Sequence, residues 1–139
     1  MYRPPLDGIR VLDFCWAWAG PYGALQLAHM GAEVIRIESA KRLCPSRLIP
    51  PWPDNEEGIN RAGYFNQYNQ GKRSITLDLK TPEAIEIVNL LVSKTDIVMN
   101  NFASGVMEKL GLGYHALTKV RSDLIMVSLP GYGTSGPEK

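Results

Sequence analysis

Ile9-Arg10-Val11-Leu12-Asp13-Phe14, then Trp18-Ala19-Gly20-Pro21, then Gly31-Ala32-Glu33-Val34-Ile35-Arg36-Ile37-Glu38, is the stretch that decides the fold. The two apolar runs are short and rich in Val and Ile, as strands buried on both faces are. Pro21 suits the first turn of a helix, where a missing N–H is no loss. Gly31 suits the left-handed position just past a helix end. The stretch therefore predicts a strand over 9–15, a helix over 21–30 and a parallel strand over 32–38, which is a βαβ unit. In open α/β sheets, ligands sit at the carboxyl ends of the strands, beside helix N-termini. The loop 15–20 is accordingly the first place to look for function.

Outward from that unit, the pattern dissolves over residues 39–70, where Pro45, Pro50, Pro51 and Pro53 forbid regular structure. A connector this long tends to be functional or mobile. A short helix or turn is expected over 64–68, and a third strand over 74–79. Thr81-Pro82-Glu83 is a helix start with an N-cap, a first-position proline and a favourable acid. That helix should run to about residue 93. A fourth strand over 96–100, a short helix between Ser104 and Gly111, a helix over 114–121 and a fifth strand over 124–129 follow. This order predicts an α/β fold with a doubly wound, mainly parallel sheet.

The chain has 139 residues, long enough for one domain with a core, and a composition ordinary for a soluble globular protein. A net charge of +1 gives no charge-driven affinity for nucleic acid or membrane. No apolar run approaches the roughly 18 residues of a membrane span, and Met1-Tyr2-Arg3-Pro4-Pro5 lacks the apolar core of a signal peptide. Cys15 and Cys44 have no metal-like spacing, so a reduced, cytoplasmic chain without a metal site is expected. Loop chemistry, Gly131 to Lys139, follows the last strand directly where another helix is normal. The expectation is a single domain over 1–139 that is part of a longer protein.

Several groups are candidates for function. Gly131, Gly133 and Gly136 form a Gly-x-Gly-x-x-Gly after a strand, but no helix follows and Pro137 comes at once, so a Gly-rich turn is favoured over a dinucleotide fingerprint. Lys72, Arg73 and Lys80 flank a strand, and each alone reads as a solvated strand terminus. Together with Arg36, Lys41, Arg42 and Arg47 they form a group able to meet phosphates. The pair Asn100-Asn101 either caps the following helix, or Asn101 offers its amide to a purine-like edge with Phe102 packing on the ring. Trp16 and Trp18 either pack under the long loop or wall a ligand pocket. Asp13 in a strand reads as structural, and His29 and His115 as surface or packed histidines. No catalytic triad, Cys–His pair or metal cluster is legible. Residue by residue, this is an α/β domain for a nucleotide-type ligand with no visible catalytic group.

The segments Pro5 to Phe14, Ala19-Gly20-Pro21, Leu27 to Glu38 and Asn69-Gln70-Gly71-Lys72-Arg73-Ser74-Ile75-Thr76-Leu77-Asp78-Leu79-Lys80 resemble the opening of the class III CoA-transferases, the CaiB/BaiF group. Asp96-Ile97-Val98, Asn101-Phe102, Gly105-Val106, Leu110-Gly111, Leu124-Ile125, Ser128, Gly131-Tyr132-Gly133 and Gly136-Pro137 continue the resemblance in order. It implies a Rossmann-like domain that takes CoA or an acyl-CoA as substrate, with no permanent cofactor, in an interlocked homodimer. By position, the family's CoA contacts fall on Trp18 and Ala19, on the segment after Glu38 with Lys41 or Arg42 for its charge, on Leu77, Asp78, Leu79 and Lys80, on Asn101, Phe102 and Ala103, on Lys109, and around Pro130, Gly131 and Tyr132. Ser39 stands where some members have Arg, and Pro130 where formyl-CoA transferase has Lys. The resemblance also implies that the catalytic residues lie downstream of Gly136-Pro137: a nucleophilic Asp in the transferases, a His/Asp pair in the α-methylacyl-CoA racemases. The expected parent moves CoA from an acyl-CoA to a carboxylic acid. A racemase and a non-catalytic nucleotide-binding module are the alternatives.

Overall fold

The computed structural model describes residues 3–137. The elements are β1 (Arg10–Asp13), α1 (Ala19–His29), β2 (Glu33–Glu38), α2 (Gly63–Tyr68), β3 (Arg73–Thr76), α3 (Pro82–Val92), β4 (Ile97–Asn100), α4 (Val106–Lys109), α5 (Tyr114–Leu117) and β5 (Ile125–Ser128). One five-stranded sheet has the order β3-β2-β1-β4-β5, and all four pairings are parallel. This is the expected doubly wound α/β architecture.

Alternation along the strands assigns the two faces. Leu12, Phe14, Ile37 and Val98 join Val88 and Val92 of α3, Met107 of α4 and Leu117 of α5 in one core cluster. Val11, Cys15, Val34 and Met99 join Ala24 of α1 in the other. Helices on both faces are what bury strands this apolar.

The predicted punctuation holds. After α1, Gly31 sits at φ +101°, the Gly31 amide donates to the Ala28 carbonyl, and the Ala32 amide donates to the Leu27 carbonyl, both at 3.0 Å. This is the paired 5→2 and 6→1 closure that needs a left-handed residue. A Cβ at Gly31 would stand 2.3 Å from that of Pro4. At α3, the Thr81 hydroxyl accepts from the Ala84 amide at 3.3 Å, with Pro82 in the first turn.

Boundaries differ in informative ways. α1 begins at Ala19, two residues before the expected start, because the Tyr22 amide already donates to the Trp18 carbonyl at 2.8 Å. The helix expected over 114–121 stops at Leu117 and unwinds into turns. Its last contact with the core is Leu117 itself, which is fully buried. β3 ends at Thr76; the Leu77 amide still donates to the Glu38 carbonyl at 2.9 Å, and a turn follows in which the Thr81 amide donates to the Asp78 carbonyl at 3.0 Å.

The long loop is fastened at Arg47. Its guanidinium donates to both Glu38 carboxylate oxygens at 2.9 and 2.8 Å, to the Ile59 carbonyl at 2.7 Å and to Asn60 Oδ1 at 2.8 Å. It also lies 3.3 Å over the centre of the Phe65 ring. A five-donor planar cation is suited to hold irregular backbone in this way.

Candidate functional site

A cleft of about 220 Å³ opens at the carboxyl ends of the strands. β1 and its continuation give Phe14 and Trp16; β2 and its continuation give Ile37, Glu38, Ser39 and Arg42. The turn after β3 gives Leu77, Asp78, Leu79 and Lys80, and the far wall is Phe102 with Val106 and Leu110 of the α4 segment. A neighbouring cavity of about 190 Å³ shares Phe102 and adds Ala103, Met126, Ser128 and Pro130. An apolar floor with polar groups around its mouth is the common form of a small-molecule site.

Three constraints shape the cleft. First, the turn after β3 is set by Asp78, whose Oδ1 accepts from the Lys80 amide at 3.2 Å and whose Oδ2 accepts from Lys41 Nζ at 2.6 Å. The Lys41 hydrogen bond holds the Asp78 carboxyl below its ordinary pKa. Second, the loop after β1 is clamped by Asn101. Asn101 Oδ1 accepts from the Trp16 amide and Nδ2 donates to the Trp16 carbonyl, both at 2.7 Å. Directly after this clamp Ala17 takes φ 59°, and the Ala17 amide reaches Cys44 Sγ at 3.2 Å. Gly20 lets α1 close over this junction: a Cβ there would lie 2.4 Å from the Cys15 Cβ and 3.3 Å from Asn101 Cγ. Third, the Trp16 ring is held edge-on to Phe102 with centroids 6.3 Å apart, and the Arg42 guanidinium lies 5.1 Å over its face.

The site residues expected from the sequence divide accordingly. Arg42, Leu77, Asp78, Leu79, Lys80 and Phe102 come together in the cleft, and Ala103 lines the adjoining cavity. Asn101 stands behind the wall, with the carbonyl and amino ends of its amide both turned to the Trp16 backbone. Trp18 is half exposed and packs on Tyr64 at 5.9 Å. Trp18, Ala19, Lys109, Gly131 and Tyr132 line neither cavity. Gly131 and Gly136 have open space where a Cβ would stand, so no close backbone approach accounts for them here. Of the two cations offered after β2, Lys41 is tied to Asp78 and Arg42 lines the cleft. Arg42 and Lys80 have no carboxylate partner among the described residues.

Lys72 corrects the reading of it as a solvated strand terminus. Its side chain is 1% exposed, and Nζ donates to Asp13 Oδ2 and the Pro21 carbonyl at 2.9 Å and to Asn69 Oδ1 at 3.1 Å. Burial pushes the ammonium below its ordinary pKa, and Asp13 opposes that shift. Asp13 is structural, as expected: its other oxygen accepts from the Cys15 amide at 2.9 Å. Arg36 is also withdrawn from any ligand, buried with its guanidinium on Asn69 Oδ1 at 2.7 Å and 5.3 Å from the Phe65 centroid. Arg73 pairs with Glu33 at 2.8 Å. Of the grouped cations, Arg42 and Lys80 remain for a phosphate in the cleft.

Trp16, offered from the sequence as a candidate pocket wall, and Ser39, which stands where some relatives have Arg, both line the cleft. The lining residues that sequence reasoning left out are Phe14, Ile37, Glu38, Val106 and Leu110. These are ordinary core and strand-end residues until the register is known.

The described residues contain no group of three or more His, Cys, Asp or Glu able to hold a metal, and no helix among them is long and apolar enough to cross a membrane. Both cysteines are free and buried. Burial and the neighbouring Asp13 push the Cys15 thiol far up, which opposes the thiolate a nucleophile needs. Iodoacetamide is therefore expected to spare Cys15 and Cys44 in the folded chain and to label both in urea, read by mass spectrometry. Labelling of Cys15 under native conditions would contradict this burial.

Comparison with known proteins places this geometry. The chain is 41% identical over 137 residues to the succinate–glutarate CoA-transferase of Agrobacterium fabrum, covering 97% of this chain and 34% of that protein. The crystal structure of Rv3272 from Mycobacterium tuberculosis superposes with a TM-score of 0.86 at 40% identity, over 98% of this chain and 36% of that one. A CaiB/BaiF family protein from Brucella suis gives 0.87 at 37% identity, over 98% and 36%. The chain thus spans about a third of the length of these relatives. Since the model of CoA-transferase family III also matches residues 6–139, the chain belongs to that family.

Proposed function

We propose that this chain forms the CoA-binding portion of an enzyme that moves CoA from an acyl-CoA to a carboxylic acid. The cleft carries this reading: Leu77, Leu79 and Phe102 give an apolar slot for a purine, and Arg42 and Lys80 stand at its mouth without a carboxylate partner. Charge-assisted bonds from such cations suit a diphosphate. The adjoining cavity at Ala103 extends the path along which the thioester arm runs. CoA is a substrate here, not a resident cofactor. We assign the nucleophile to a part of the parent protein outside this chain, because the cleft's two carboxylates are already engaged, Glu38 by Arg47 and Asp78 by Lys41. We infer a cytoplasmic homodimer for the parent, which is what the resemblance to its family implies.

Calorimetric titration with CoA tests this. Saturable binding that weakens on Lys80→Ala is expected, together with no turnover of any acyl-CoA and acid pair by this chain alone. Folded chain that fails to bind CoA would remove the binding assignment. Turnover would remove the assignment of the nucleophile to the missing part.

A further inference from the structure

The Trp16 indole is a firmly held flat surface in the cleft. Its backbone is fixed on both sides by Asn101 and its edge by Phe102. Over one face of the ring lies the Arg42 guanidinium, 5.1 Å from the centroid. Arg42 is exposed, has no carboxylate partner among the described residues, and comes from the loop after β2, where Lys41 is committed to Asp78, Arg47 to Glu38 and Arg61 to Glu56. Both Trp16 and Arg42 line the same cleft.

A guanidinium on an indole face and a purine on an indole face use the same π-surface, so one excludes the other. We propose that Arg42 is a specificity-determining latch: it covers the Trp16 face in the free chain, yields that face to the purine ring of a nucleotide, and swings to the nucleotide's diphosphate. This rests on the CoA reading and adds a consequence to it. A ligand with phosphates regains Arg42 as a charged partner, whereas a ligand without them only displaces it. The latch therefore discriminates against bare nucleosides and for phosphorylated ones.

The test is the sign of one substitution on two ligands. Arg42→Ala, checked for folding by circular dichroism, is expected to bind CoA about tenfold or more weakly, through loss of a charge-assisted contact. The same variant is expected to bind adenosine about two- to fivefold more tightly, the worth of an exposed cation–π contact that no longer has to be broken. Trp16→Leu should abolish the adenosine gain when combined with Arg42→Ala. If wild type binds CoA but Arg42→Ala weakens both ligands, or leaves adenosine unchanged, the latch is overturned and the CoA reading stands. If folded wild type binds neither ligand, both fall together.

Discussion

Replacing Lys72 by Met is expected to destabilise the fold by about 3–5 kcal/mol, the cost of leaving a buried ion without its partner. Asp13 is fully buried, and among the described residues Lys72 supplies its opposite charge, at 2.9 Å. The same ammonium also satisfies the Pro21 carbonyl and Asn69 Oδ1, so its loss strips three acceptors at once. A domain of this size holds about 5–15 kcal/mol in total, which makes the variant marginal. Urea unfolding should show a lowered midpoint with an unchanged slope. The companion experiment is the double variant Asp13→Leu with Lys72→Met. Removing both charges leaves nothing unpaired, so the double variant should be more stable than Lys72→Met alone. A single variant within about 1 kcal/mol of wild type would mean that Asp13 is protonated or hydrated at no cost, and the pair would lose its role.

That pair also marks where the sequence stops being readable. Gly31, Pro21 and the Thr81-Pro82 start each act on backbone within a few residues, so the order of strands and helices follows from local chemistry. Asp13 and Lys72 are separated by 59 positions, and Asn101 and Trp16 by 85. Their meeting depends on register: Asp13 lies beside Arg36, Glu38 beside Thr76, and Asp13 again beside Met99. No spacing rule gives these numbers. Side-chain fate was hidden for the same reason. Lys72 and Lys80 look alike as cations at the two ends of a strand, but one is turned into the sheet and the other faces the cleft. Lys41 and Arg42 are adjacent, and the position of Asp78 decides which is consumed. The cleft's location was legible, because strand carboxyl ends converge in any parallel sheet; its uncommitted charges were not.

Asn101→Ala is the second large effect expected, and it separates two roles for the same residue. In the structure both ends of the amide are spent on the Trp16 backbone. Losing two hydrogen bonds and leaving the Trp16 amide and carbonyl unpaired should cost about 2–3 kcal/mol in urea unfolding. The clamp also sets the wall of the cleft, so CoA affinity should fall about tenfold or more. A direct ligand contact by Asn101 would lower affinity too, and affinity alone does not distinguish the two. Hydrogen exchange does. The Trp16 amide is protected by Asn101 Oδ1 in the free chain, and in Asn101→Ala it should exchange faster by the factor that the lost bond allows, before any ligand is added. Asn101→Asp keeps an acceptor for that amide but has no donor for the Trp16 carbonyl and sets a carboxylate against it. It should retain part of the protection while binding CoA poorly. Unchanged exchange at Trp16 in Asn101→Ala, with CoA binding lost, would return Asn101 to the ligand and leave the conformation of the loop after β1 to its other contacts, those with Cys44, Arg42 and Phe102 among them.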